Sequence, residues 1–227
     1  MFNIEENTKL LLQAAKQGNV KEVRRLIPLS DPKRDNSNAL YYAARNGHAD
    51  CVELLIPVSD PKANDSWALQ EAAARGKTQC VELLIPVSDH KAIDSYALRI
   101  AAQYGYTQCV EMLIPVSNPK DQYSSALQLA ARHGHTQCVE LLIPVSNPKA
   151  HNSYALREAA VHGYTKCVEL LYPVSDPIVA LNQLQQDHPD RYEKWGQLYE
   201  MVEAERLQNT LNSEVGTTTV VKAQRKV

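Results

Sequence analysis

The chain lacks any excess of positive charge: 24 Lys and Arg stand against 26 Asp and Glu, for a formal net charge of -2. Nucleic-acid recognition draws on clustered cations that displace condensed counterions, so this balance argues against a nucleic-acid ligand. No apolar run approaches the roughly 18 residues of a membrane span, so no membrane partner is expected. The opening Met1-Phe2-Asn3-Ile4-Glu5-Glu6 has early acids and no cationic stretch ahead of an apolar core. No export signal is read there, and a soluble protein is expected. G-x-S-x-G, H-E-x-x-H and Walker sequences are also missing, which removes the recognisable apparatus of several hydrolases and phosphate-binding loops. His133 and His135 flank a glycine instead of standing at i, i+4, and no carboxylate has a matching spacing. Neither a metal nor another cofactor is therefore expected, and no catalytic residue is assigned.

What the chain does have is a period. Cys51, Cys80, Cys109, Cys138 and Cys167 follow one another at 29 residues, and Gly18, Gly47, Gly76, Gly105, Gly134 and Gly163 keep the same interval. Such an interval marks an array of one supersecondary unit stacked on copies of itself, which presents a long face more readily than a closed pocket. Five cysteines would be an awkward number for a secreted disulfide protein, but the spacing explains them. Equivalent residues in stacked helices lie about 8–10 Å apart, beyond the roughly 7 Å Cα separation that a disulfide tolerates. Five buried, reduced thiols and a cytoplasmic location follow as expectations.

One unit, residues 124–152, reads SSALQLAARHGHTQCVELLIPVSNPKAHN. Leu127, Ala130, Ala131 and Gly134 recur at i, i+3, i+4 and i+7, which predicts a first helix with Ser124 as its N-cap and Gly134 at its end. A second helix carries Cys138, Val139, Leu141, Leu142 and Ile143, and Pro144 halts it because proline lacks an N–H and crowds the preceding turn.

The frame A-L-x-x-A-A-x-x-G-H, here Ala126-Leu127, Ala130-Ala131 and Gly134-His135, followed by Leu141-Leu142, resembles the ankyrin repeat. The resemblance covers about residues 7–176, with a divergent first unit and clear ones starting at Ser37, Ser66, Ser95, Ser124 and Ser153. It implies an all-α, helix-turn-helix solenoid and a general binding scaffold. Two departures matter. Alanine replaces the family's helix-starting proline, and glutamine, arginine or tyrosine replaces the histidine after the leucine, so the hydrogen bonds of that histidine must come from elsewhere. The unit is also 29 residues and not the usual 33, the loss falling where the family makes its β-hairpin finger. The Pro-rich IPVSDPKAND segment predicts a tight turn and blunted hairpin loops.

Four regions are expected: an N-terminal capping repeat over 1–36, five repeats over 37–176, a C-terminal helical cap over 177–213 and a flexible tail over 214–227. The first unit carries Lys9, Lys16, Lys21, Arg24 and Arg25, as suits a terminal repeat facing water. In the cap, Asp187-His188-Pro189 reads as a helix start, with Tyr192, Trp195, Tyr199 and Val202 as its apolar stripe.

Helix phase aims certain first-helix positions away from the core, and these vary from unit to unit while the framework repeats. They include Tyr42 and Arg45, then Trp67 and Glu71, then Tyr96, Ile100 and Gln103, then Leu129 and Arg132, and last Tyr154 and Glu158. Arg75, Arg99, Tyr104, His133 and His162 flank them. Trp67, Tyr96, Ile100 and Leu129 are expected to form an exposed apolar ladder with a basic and polar border, the composition of an interaction site. The expected function is protein binding through a concave inner-helix face, by a chain that is monomeric alone. The near-identical repeats look like those of bacterial ankyrin proteins, which implies an inhibitor or immunity-type protein that neutralises a toxin or enzyme. An effector acting on a host protein is the alternative, and an enzyme with a groove site comes after both.

Overall fold

The structure is a computed structural model that describes residues 3–189 together with Gly196, Glu200 and Ala204. Six helix pairs follow one another. The longer, inner members are α1 (Ile4–Gln17), α3 (Arg34–Asn46), α5 (Ala63–Ala74), α7 (Ala92–Gln103), α9 (Asp121–Arg132) and α11 (Ala150–His162). The outer members are α2 (Val20–Leu26), α4 (Ala49–Leu55), α6 (Thr78–Leu84), α8 (Thr107–Leu113), α10 (Thr136–Leu142) and α12 (Thr165–Leu171). A thirteenth helix, α13 (Pro177–Asp187), packs on α11 as the inner helices pack on each other. There is no strand among the described residues. Successive inner helices pack on one another along the array, and successive outer helices do likewise.

The periodic residues form the core. Leu40, Leu69, Leu98, Leu127 and Leu156 are buried, as are Leu55, Leu84, Leu113, Leu142 and Leu171 of the outer helices. Removing each leucine side chain from water is worth roughly 1.5–3 kcal/mol. Short inner helices alone would be marginal in water, so this repeated burial supports the array. All five cysteines are buried and free. Three of them meet a threonine of the preceding unit: Thr78 Oγ1 with Cys109 Sγ at 3.9 Å, Thr107 with Cys138 at 3.7 Å and Thr136 with Cys167 at 3.6 Å.

Where the finger would be, most outer helices tighten into a 3₁₀ turn containing the proline, such as Ile56–Val58 and Ile143–Val145. The proline therefore ends the α-helix without ending the helical path. An Asx turn follows, in which Asp60 Oδ1 accepts the Lys62 N–H at 3.0 Å. The chain then enters each inner helix from α3 to α11 through three successive left-handed residues: Asn64, Asp65 and Ser66 have φ of 48, 56 and 65°. Aspartate, asparagine and histidine tolerate this region, but Ile93, at φ 50°, is β-branched and disfavours it.

The serine at the end of this turn corrects the expected N-cap. Ser124 Oγ accepts the N–H of Asn147, 23 residues on at 2.9 Å, and so ties the start of the inner helix to the loop after its outer helix. Ser37, Ser66, Ser95 and Ser153 repeat the bond with Asp60, Asp89, Asn118 and Asp176, and Thr8 makes it with Asp31 in the first unit. The family histidine is also replaced. Gln70 Nε2 donates to Asp65 O at 2.6 Å, Gln128 Nε2 to Tyr123 O at 2.7 Å and Arg99 Nη2 to Ile93 O at 3.2 Å, each onto a carbonyl of the left-handed turn.

At the C-terminal end, α13 buries Ala180 and Leu184 and stops at His188. The sequence signal for a helix start is Asp187-His188-Pro189, but α13 begins ahead of it at Pro177 and Asp187 is its last residue. The stripe of Tyr192, Trp195, Tyr199 and Val202 and the tail over 214–227 lie outside the described residues.

Candidate functional site

The inner-helix side carries a groove of about 790 Å³ between α3, α5 and α7. Arg45 and Asn46 from α3, Glu71 and Ala74 from α5, and Tyr96 and Ile100 from α7 line it. Arg75, Tyr104, His48, Lys77 and Tyr106 complete the wall from the turns between paired helices. Six of the sequence-predicted residues therefore meet here: Arg45, Glu71, Arg75, Tyr96, Ile100 and Tyr104.

The expectation of an exposed apolar ladder needs correction. Ile100 is only 8% exposed and belongs to the core cluster. Helix phase turns it away from its own outer helix, but the neighbouring inner helices stand close enough to close over an aliphatic side chain. Tyr96 and Leu129 are half-buried. Trp67 is exposed, and its ring packs on buried Tyr41 with centroids 4.2 Å apart. Tyr42 stands edge-on to Tyr41 at 4.8 Å beneath the Lys16 ammonium, 4.0 Å from its ring. The most open aromatic on this side is Tyr104, at 52%. Arg99 has a structural task at the turn and lies 5.5 Å from the Tyr96 ring.

Two charged clusters occupy the same register three units apart. In the first, Glu71 Oε2 meets Arg45 Nε at 3.6 Å and Arg75 Nε at 3.2 Å. In the second, Glu158 Oε2 meets Arg132 Nε at 3.5 Å and His162 Nε2 at 3.6 Å. Burial, the charge of Glu158 and a hydrogen bond to it hold the Tyr154 hydroxyl above the usual phenol range. Burial first, then the charges of His135 and Arg132, lower the pKa of exposed His133. Gln103 is half-buried between the two clusters.

His48, Lys77 and Tyr106 are the lining residues that sequence reasoning missed. Each follows a repeat glycine and lies over the glycine of the preceding unit: a Cβ on Gly47 would stand 2.8 Å from Lys77 Cδ, and one on Gly76 would stand 2.5 Å from Tyr106 Cδ1. The signal was present, because this position reads His48, Lys77, Tyr106, His135 and Tyr164 along the array.

Among the described residues no group of three or more His, Cys, Asp or Glu could hold a metal, and no helix is long and apolar enough to cross a membrane.

Antiparallel helix pairs stacked in one register, with the variable positions on the inner side, define a helical-repeat solenoid. A family model of ankyrin repeats, in three copies, matches residues 2–66 and 98–179, and the chain belongs to the ankyrin-repeat family. Its members are in general protein-interaction scaffolds. No curated protein matches significantly. Among solved structures, an ankyrin repeat domain from Acinetobacter baumannii AYE is 23% identical, covers 73% of this chain and 98% of its own, and superposes with a TM-score of 0.61. The human ASB11 ankyrin repeat domain is 20% identical, covers 72% of this chain and 82% of its own, with a TM-score of 0.63. These two likenesses concern the fold.

Proposed function

We propose that the chain binds a partner protein through its inner-helix face and acts as an inhibitor or immunity-type protein in a bacterial cytoplasm. The observation that carries the binding reading is the contrast within each unit. Leucine, alanine, cysteine and serine repeat where they pack, while the residues around the groove change from unit to unit. Although Ile100 and part of Tyr96 pack into the core, the face concentrates tyrosine and arginine, the composition of binding hot spots. Five free thiols without a disulfide suit a reducing compartment. Inhibition suits a rigid face that covers a partner's surface. The two carboxylates of the face, Glu71 and Glu158, are each engaged by two basic side chains, which favours recognition over catalysis.

The test is affinity capture with the full chain, followed by calorimetry with the recovered partner. Tyr96→Ala and Leu129→Ala are expected to weaken binding by about 2 kcal/mol or more. Both side chains are half-buried, so each variant should also lose some stability, but less than Leu98→Ala at the fully buried core position. Normal binding by both variants refutes the inner-face reading, most directly if the partner is then lost on changing Tyr192 or Trp195.

A further inference from the structure

Resting on the reading of this face as a protein-binding surface, we infer that the groove between α3, α5 and α7 takes an acidic segment of the partner bearing two or more carboxylates. The chain as a whole is slightly acidic, at -2, yet the groove lining sets Arg45, Arg75 and Lys77 against Glu71 alone. Three cations against one carboxylate leave an excess of two positive charges, opposite in sign to the chain's own balance. Glu71 also answers both arginines through one oxygen, Oε2, and in each case through Nε. A guanidinium has five donors in a planar fork. Arg45 uses one more, from Nη1 to the Tyr41 hydroxyl at 3.3 Å, and donors of both arginines remain for an incoming carboxylate.

Lys77 sharpens the case. It makes no ion pair among the described residues, its stem is seated over Gly47, and it lines the groove. The equivalent residues in the other units are Asn19, His48, Tyr106, His135 and Tyr164, so this lysine is particular to one unit. Tyr96, Tyr104 and Tyr106 line the same groove and can donate hydroxyl hydrogens to an acid. The far cluster provides a contrast, because Glu158 faces one arginine and one histidine and also engages Tyr154. Charge-assisted bonds from arginine to carboxylate are the stronger hydrogen bonds available to such a face.

The experiment selects a phage-displayed library of twelve-residue peptides on the folded full chain and measures enriched peptides by fluorescence polarisation. Enriched peptides are expected to carry more Asp and Glu than the input and to bind Arg75→Glu/Lys77→Glu at least tenfold more weakly. Arg75→Gln/Lys77→Gln repeats the test with milder changes if charge reversal lowers the melt. A thymidine dodecanucleotide serves as a second probe. The inference is overturned by enrichment without an acidic excess, or by acidic peptides that bind both double variants at parental affinity. It is equally overturned if the oligonucleotide binds as tightly as the peptides and is lost in the same variants, which would mark a general polyanion surface. Peptides without acidic bias that are lost in Tyr96→Ala or Leu129→Ala would leave protein binding standing and remove only the acidic partner. If no peptide responds to any of these changes, the inner-face reading fails as well.

Discussion

Gly76 and Gly163 hold the same left-handed backbone, at φ 62° and 77°, in equivalent places of the second and fifth full units. Their surroundings differ. A Cβ added to Gly76 would stand 2.5 Å from Cδ1 of Tyr106, which reaches back from the next unit, whereas one added to Gly163 meets nothing within 4 Å. Glycine is therefore required twice in the interior, by conformation and by the side chain above it, but once at the end of the array. The pair separates what a repeat needs for itself from what it needs because a neighbour is stacked on it.

The largest expected effects test whether the end is otherwise built like the interior. Leu98 and Leu156 are both fully buried, the second because α13 covers α11. Leu98→Ala and Leu156→Ala should each cost about 2–5 kcal/mol in urea denaturation. A much smaller loss for Leu156→Ala would show that α13 does not replace a missing unit in energetic terms.

Next come the glycines. Gly163→Ala should cost about 1–2 kcal/mol for the left-handed backbone alone. Gly76→Ala should add about 1–3 kcal/mol of overpacking as Tyr106 is displaced. Equal losses would break the comparison and place Tyr106 away from Gly76 in solution.

The same division explains what could be read in advance. Leu127, Ala130 and Gly134 announce themselves because every unit repeats them, and Cys138 because the five full units do, and with them the helix pairs, the buried thiols and the missing hairpin. Ser124 was visible, but its partner was not: a bond spanning 23 residues leaves no local trace. The left-handed turn is hidden because Ile93 and Tyr123 stand where Asn or Asp stands in other units. At the candidate site, helix phase gave the direction of Ile100 but not the nearness of the adjacent helix that buries it. His48, Lys77 and Tyr106 vary from unit to unit but sit in the turn after the invariant glycine, outside the helix positions that phase can aim, and the stacking brings them to the groove.

The cysteines report on the end of the array through kinetics. Burial pushes every repeat thiol up, that of Cys80 to about 11, so all five should be silent to a thiol reagent in the folded state and fast in denaturant. Terminal repeats open more readily than central ones. Cys167, in the last outer helix, should therefore label about tenfold faster than Cys109 under native conditions, the ratio expected for an opening about 1.4 kcal/mol easier. Peptide mapping after brief labelling reads the order. Rapid native labelling of most of the five would instead overturn the buried ladder.

The smallest expected effect belongs to His133, an exposed residue of an interior unit with charges on several sides. Its folded-state pKa is lowered from 6.5, first by desolvation and then by His135, Arg132 and His162, with Glu158 opposing. The unfolded chain then binds the proton more readily than the folded one, so stability rises with pH across this titration. It is complete above the ordinary histidine value, begins to fall as the pH drops through about 6.5, and stops falling below the lowered folded value. His133→Gln removes the titration, so its melting temperature should fall less than the parent's between about pH 7.5 and 5. The side chain is exposed and water screens much of the charge, so the difference should be modest. A steeper fall in the variant would mean that the folded protein holds the His133 proton more tightly than the unfolded chain does. Glu158 would then outweigh the cations around it, and the far cluster would have spare negative charge where the groove at Glu71 has spare positive.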